Sequence, residues 1–167
     1  MSDESVVEPT DPWQTLRYFL GRWQGSGTGK PGESRVEREY RFVLDEQFIQ
    51  MTDRAVYEPQ ERNPEGEIHE EIGYFSYDKS RQRHVFREFH VEGYVNQYVM
   101  EEWDPSGKKI VFRTEAIENM PSGWQTRTTY EVLGENMFRE TFDLVGPGQA
   151  LSCFITIEFE RDSGRSD

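Results

Sequence analysis

His84, Glu88 and His90 alternate along one predicted strand with Phe86 on the same face. Two imidazoles and a carboxylate on one face could hold a metal ion or act as an acid–base pair. Their spacing is longer than that of common metal motifs, and no cysteine or second histidine cluster joins them. The reading taken is a hydrogen-bonded surface or pocket histidine, with no metal site assigned. Glu140 shares a face with Phe138, Phe142 and Leu144. A carboxylate there either carries a raised pKa or pairs with a cation, and pairing with Arg38 or Arg113 is the favoured reading. His69, among Glu67, Glu70 and Glu71, reads as a solvated strand end, and that acidic run reads as surface. No nucleophile motif, phosphate loop or zinc-protease helix motif is present, so enzyme activity has no positive support.

The elements that must position these groups are short and two-periodic. After Gly21 the candidate strands span 22–29, 35–44, 48–57, 68–77, 84–91, 94–103, 109–117, 123–133, 137–145 and 151–160. Turn residues separate them, including Lys30-Pro31-Gly32, Asn63-Pro64-Glu65-Gly66, Asp104-Pro105-Ser106-Gly107 and Gly146-Pro147-Gly148. About ten strands joined mostly by tight turns predict an all-β, antiparallel up-and-down meander that closes into a barrel. Before them, Asp11 can cap, Pro12 suits a first helical turn and Gly21 suits a stop. Trp13, Leu16 and Leu20 with Phe19 predict a short N-terminal helix that docks on one end of the barrel. Residues 1–9 and 162–167 read as mobile tails around a single domain over 10–161.

Alternation places Val36, Arg38, Tyr40 and Phe42 on one face, and Trp124, Thr126, Thr128, Tyr130 and Val132 on another. The expected inner faces therefore mix Arg38, Thr126, Thr128 and Glu140 with aromatics. A solid core disfavours this, because each unpaired buried polar group costs about 1–3 kcal/mol. A hollow barrel with a pocket tolerates it.

Composition narrows the function classes. The chain has 167 residues, 14% aromatic and only 34% hydrophobic, which suits strands that bury one face. Against 32 acidic residues stand 19 basic ones, for a net charge of −13, which disfavours nucleic acid and anionic membranes as partners. Cys153 is the sole cysteine, so no intramolecular disulfide or cysteine metal cluster can form. The acidic start of the chain has no basic and apolar leader pattern, and no segment has the apolar length of a membrane helix, so the cytoplasm is the expected compartment.

The stretch Leu20-Gly21-Arg22-Trp23-Gln24-Gly25-Ser26-Gly27-Thr28-Gly29 carries the most specific signal. A short helix followed by Gly-x-Trp resembles the opening of the calycin superfamily, which includes lipocalins and fatty-acid-binding proteins. The glycine run that follows is more similar to the nitrobindin-like branch. That resemblance implies a barrel whose closed end is plugged by Trp23, with Gly21 turning the helix into the first strand. A second stretch, Gly148-Gln149-Ala150-Leu151-Ser152-Cys153-Phe154, resembles the last nitrobindin strand, where a histidine binds haem iron. In that register Phe154 stands at the histidine position, and phenylalanine cannot ligate iron. A thiolate from Cys153 is disfavoured, since a one-residue shift turns its side chain to the other face.

The function expected is non-enzymatic binding of a small, partly apolar molecule inside the barrel, without haem. Tyr40, Phe42, Phe86, Trp124 and Phe154 are expected to supply contact area, and Arg38, His90 and Glu140 to orient the ligand. The partner is a small hydrophobic or amphipathic molecule, with a second copy of the chain as the candidate protein partner. The alternatives are a nitrobindin-like haem protein handling nitric oxide or peroxynitrite with His84 or His90 as ligand, a barrel enzyme using Glu140 and His90 as acid and base, and a filled barrel with no ligand.

Overall fold

Glycine, proline, asparagine and aspartate punctuate the chain often enough that each two-periodic run folds back on its predecessor. The computed structural model describes residues 11–164; the tail expected over 1–9, and the last residues of that over 162–167, lie outside the described residues. Ten antiparallel strands follow one another: β1 (Gly21–Gly29), β2 (Ser34–Val43), β3 (Phe48–Tyr57), β4 (Glu67–Asp78), β5 (Arg83–His90), β6 (Val95–Trp103), β7 (Lys109–Glu118), β8 (Gln125–Gly134), β9 (Met137–Val145) and β10 (Ser152–Arg161). Each pairs with its sequence neighbours, and β1 pairs with β10 to close the barrel. Closure removes the free sheet edges that an open meander would expose. The strand ends fall within two residues of those expected. Among the described residues no helix is long and apolar enough to cross a membrane.

The expected N-terminal helix is instead a run of turns ending in a single 3-10 turn, Arg17–Phe19. The cap is real, since Asp11 Oδ1 accepts a hydrogen bond from the Trp13 amide at 3.0 Å. Propagation fails because so short a segment cannot offset helix nucleation and because its anchors are three residues apart. Trp13, Leu16 and Phe19 are all buried, a spacing that suits a 3-10 turn. The Trp13 indole also donates to the Glu46 carbonyl at 3.1 Å, tying the segment to the β2–β3 turn.

That segment covers the closed end of the barrel. Trp23 is 1% exposed, donates from its indole to the Phe19 carbonyl at 2.7 Å and packs edge-on against Phe138 at 4.7 Å. Gly21 enters β1 with a φ of 115°, a region that favours glycine. Beyond Trp23 the inward row of β1 is Gly25, Gly27 and Gly29. A Cβ at Gly25 would lie 2.8 Å from the Ile157 and Phe159 side chains, and one at Gly29 would lie 2.1 Å from the Phe154 carbonyl oxygen. The glycine run thus leaves space inside the barrel for residues from other strands. Above the plug a tightly packed aromatic layer follows, with Phe75 stacked on Phe86 at 4.0 Å and Phe86 on Tyr98 at 5.7 Å.

Candidate functional site

Packing stops at Arg38. Its guanidinium is 2% exposed and lies 4.4 Å from the centre of the Phe159 ring. Nε donates to Asp53 Oδ2 at 2.6 Å, Nη1 donates to the Tyr40 hydroxyl at 3.1 Å and to Glu140 Oε2, and Nη2 donates to Glu140 Oε1 at 3.2 Å. Burial works against the charge on Arg38, but Asp53 and Glu140 outweigh it and hold it protonated. Burial in turn pushes the Asp53 carboxyl up to about 7, with Arg38 pulling the other way. Beside this group, Asn96 and Thr126 donate to the Tyr98 hydroxyl at 3.2 and 3.0 Å.

Toward the open end lies a cavity of about 410 Å³. One wall is apolar, with Phe142, Leu144, Phe154, Ile155 and Ile157 from β9 and β10. The facing wall is charged, with Arg38, Asp53, Glu71, Glu88 and His90 from β2 to β5, and Glu140 beside them. A wider concavity of about 740 Å³ lies over the outer face of β1 to β5, among the outward side chains of Arg22, Glu37, Arg54 and Glu70. The interior cavity is the stronger candidate, because buried polar groups converge on it.

The charged wall includes two linked histidines. His69 Nε2 lies 2.6 Å from Glu71 Oε1, and His90 Nδ1 lies 3.2 Å from that same oxygen. Each ring turns its other nitrogen to a further carboxylate: His69 Nδ1 to Glu92 Oε1 at 2.7 Å, and His90 Nε2 to Glu88 Oε1 at 3.0 Å. The His90–Glu88 contact lacks the alignment of a hydrogen bond, so Nε2 is a buried nitrogen without a hydrogen-bond partner among the described residues. Burial opposes charge on both rings, but the surrounding carboxylates prevail and raise His69 to about 9 and His90 to about 10. Burial also opposes charge on Glu71, yet the two histidines hold it well below the usual carboxylate range. Glu88 moves the other way: burial, reinforced by repulsion from Glu71, pushes it up to about 7.

Of the residues expected to contact a ligand, Arg38, His90, Glu140 and Phe154 line the cavity. Tyr40 lies just below it, held by Arg38, and Phe86 belongs to the packed aromatic layer. Phe42 stands at the opposite end, edge-on to Trp13 at 6.0 Å. Trp124 lies outside the cavity in the β7–β8 connection, near Gly146. His84 is also at the closed end, where Nε2 donates to the Pro12 carbonyl at 2.5 Å, so it is remote from Glu88 and His90. Phe154 reaches the cavity because a register shift between Cys153 and Ile155 breaks the alternation of β10. Cys153 is exposed, its Sγ 3.4 Å from Thr156 Oγ1.

Asp53, His69 and Glu71 are the residues that the sequence reading missed. The acidic run of β4 reads as surface because Ile68 and Ile72 occupy the parity opposite to His69 and Glu71. Those isoleucines face outward, 51% and 47% exposed. The available signal was Phe75: continuing its parity backward through Gly73 puts Glu71 and His69 inside. Gly73 itself is required there, since a Cβ would lie 2.3 Å from the Phe86 ring.

No protein-family model matches the chain, and no curated protein does. Among solved structures it is similar to Rv2717c from M. tuberculosis, at 20% identity and a TM-score of 0.71, covering 90% of this chain and 97% of that one. It also overlaps the structure of EF1p2_mFAP2b bound to DFHBI, at 9% identity and a TM-score of 0.48, covering 91% of this chain and 100% of that one. The first likeness shows a shared barrel fold.

Proposed function

We propose that the barrel binds one small, partly apolar molecule in its open-end cavity, as a calycin-type carrier and without haem. The observation that carries this reading is the two-sided cavity of about 410 Å³, apolar on β9 and β10 and charged on β2 to β5. An amphipathic ligand would lay its apolar body on Phe142, Leu144 and Phe154 and turn its polar end to Arg38, Glu88 and His90. Six carboxylates, Asp53, Glu67, Glu71, Glu88, Glu92 and Glu140, and three basic side chains, Arg38, His69 and His90, line the cavity. A ligand whose polar end donates hydrogen bonds suits that wall best. The β10 wall offers haem no iron ligand, since Phe154 supplies none and Cys153 is exposed.

Binding of Nile red, a neutral dye whose emission shifts in apolar surroundings, tests the reading. A saturable one-to-one complex is expected. Leu144→Trp, which adds bulk to the apolar wall, should weaken it at least tenfold while leaving the far-UV circular dichroism unchanged. No saturable binding, or equal binding by a folded Leu144→Trp, would overturn it. Native mass spectrometry of freshly purified protein would then give the mass of any natural ligand.

A further inference from the structure

We propose that the barrel also holds a divalent first-row transition metal on its charged wall, ligated by His69 Nε2, His90 Nδ1 and Glu71 Oε1. The three atoms form a triangle with edges of 2.6, 3.2 and 3.5 Å. A circle through its corners has a radius of about 1.8 Å, so one point off its plane lies about 2.1 Å from all three, the length of a metal–imidazole or metal–carboxylate bond. Two nitrogens and one oxygen on one face leave the remaining positions open toward the cavity. That donor set suits zinc or ferrous iron rather than calcium or magnesium, which prefer all-oxygen sites.

The atoms behind the triangle carry the argument further. A metal-ligating histidine characteristically offers its other nitrogen to a carboxylate, which fixes the ring and strengthens it as a ligand. His69 has that arrangement with Glu92, and Glu88 Oε1 stands 3.0 Å from His90 Nε2, close enough to take the same role on a small turn of the ring. The His90 side chain is 9% exposed, and its Nε2 has no aligned hydrogen bond. The two ring nitrogens, 3.5 Å apart, converge on a single carboxylate oxygen. The ion binds ring nitrogens that carry no proton, any such proton leaving to solvent, and no oxidant or reductant is needed. This site shares His90 with the small-molecule reading but needs nothing from the apolar wall, so either can fail without the other.

The test uses untagged full-length protein, stripped by a chelator and titrated with Zn(II) by calorimetry and with Co(II) by visible absorption. One-to-one binding is expected, weakened at least a hundredfold in His69→Ala and His90→Ala and tenfold or more in Glu92→Gln. His84→Ala, which alters the histidine at the closed end, should bind as the parent does. Should the histidine variants fail to fold, X-ray absorption of the zinc-loaded parent decides: two imidazole nitrogens support the site, and one or none overturns it. Absence of stoichiometric binding, or equal binding by a folded His69→Ala/His90→Ala variant, also overturns it. Nile red binding by the stripped protein separates this outcome from failure of the carrier reading.

Discussion

Arg38→Met tests whether the charged wall is held together by one cation. The substitution keeps an unbranched, apolar side chain against Phe159 but removes the partner of two carboxylates, Asp53 at 3% and Glu140 at 11% side-chain exposure. Breaking a buried pair costs about 3–5 kcal/mol, most of it from the charge left behind. For a chain of this size each kcal/mol moves the melting temperature by about 2–4 °C, so the variant should melt roughly 6–20 °C below the parent at pH 7. Asp53, pushed up to about 7 by burial in the parent, titrates still higher once the Arg38 charge that pulls it down is gone. A raised folded pKa contributes stability below the unfolded value and loses it as pH rises through the folded one, so part of the deficit should disappear between pH 7 and pH 5. Adding Asp53→Asn and Glu140→Gln to Arg38→Met should recover much of it at pH 7, because the stranded charges are gone. Arg35→Met is the control: Arg35 and Glu58 are 76% and 68% exposed, and an exposed pair contributes little. Differential scanning calorimetry at both pH values reads all three variants. An Arg38→Met protein melting with the parent at pH 7, or a deficit that grows on acidification, would refute the reasoning.

Two further outcomes follow from the ends of the barrel. Burial lowers the pKa of His84 at the closed end from its ordinary 6.5, although the Pro12 carbonyl pulls it up. A depressed folded pKa contributes stability above the unfolded value and loses it as pH falls, so the parent should lose more thermal stability than His84→Gln between pH 7 and pH 5. Equal losses in parallel melts would place the titration elsewhere. At the open end, hemin titrated into the parent should give no sharp Soret band, whereas Phe154→His should produce one; a parent that purifies with bound haem contradicts the expectation.

The parts of the fold legible in the sequence are those set by local chemistry. Strand ends follow turn residues such as Asn63-Pro64 and Gly146-Pro147, which act within a few positions of themselves. The N-terminal segment was harder, because Trp13, Leu16 and Leu20 fit a helical stripe as well as Trp13, Leu16 and Phe19 fit a 3-10 spacing. Which set prevails depends on where the barrel offers a carbonyl such as that of Glu46, a partner 33 residues away. The charged wall was legible where an aromatic shares its parity, as Tyr40 does with Arg38 and Phe138 with Glu140. It was illegible at β4, where the hollow end reverses the usual alternation and the isoleucines face out. Phe154 needed the irregularity between Cys153 and Ile155, which no period-two reading contains.

That reversal and the glycine run of β1 are two sides of one arrangement. Burying a charge is costly unless partners and space are supplied together. The closed end supplies neither, since Phe75, Phe86, Tyr98, Phe138 and Phe159 fill it with stacked and edge-on rings. At the open end, Gly25, Gly27 and Gly29 contribute no side chains to the interior, and β3, β4, β5 and β9 bring carboxylates and histidines within contact of one another. Arg38 sits where the two regions meet, with Phe159 against its guanidinium plane and acids at its edges. Side chains at those glycines would fill volume and displace Ser34, Ile157, Phe159 or the Phe154 backbone, narrowing the cavity without directly meeting a residue of β4 or β5. Gly25→Val is therefore expected to weaken Nile red binding while Zn(II) binding, which depends on β4 and β5, stays within a few-fold of the parent. Equal loss of both would mean that the two walls cannot be varied separately.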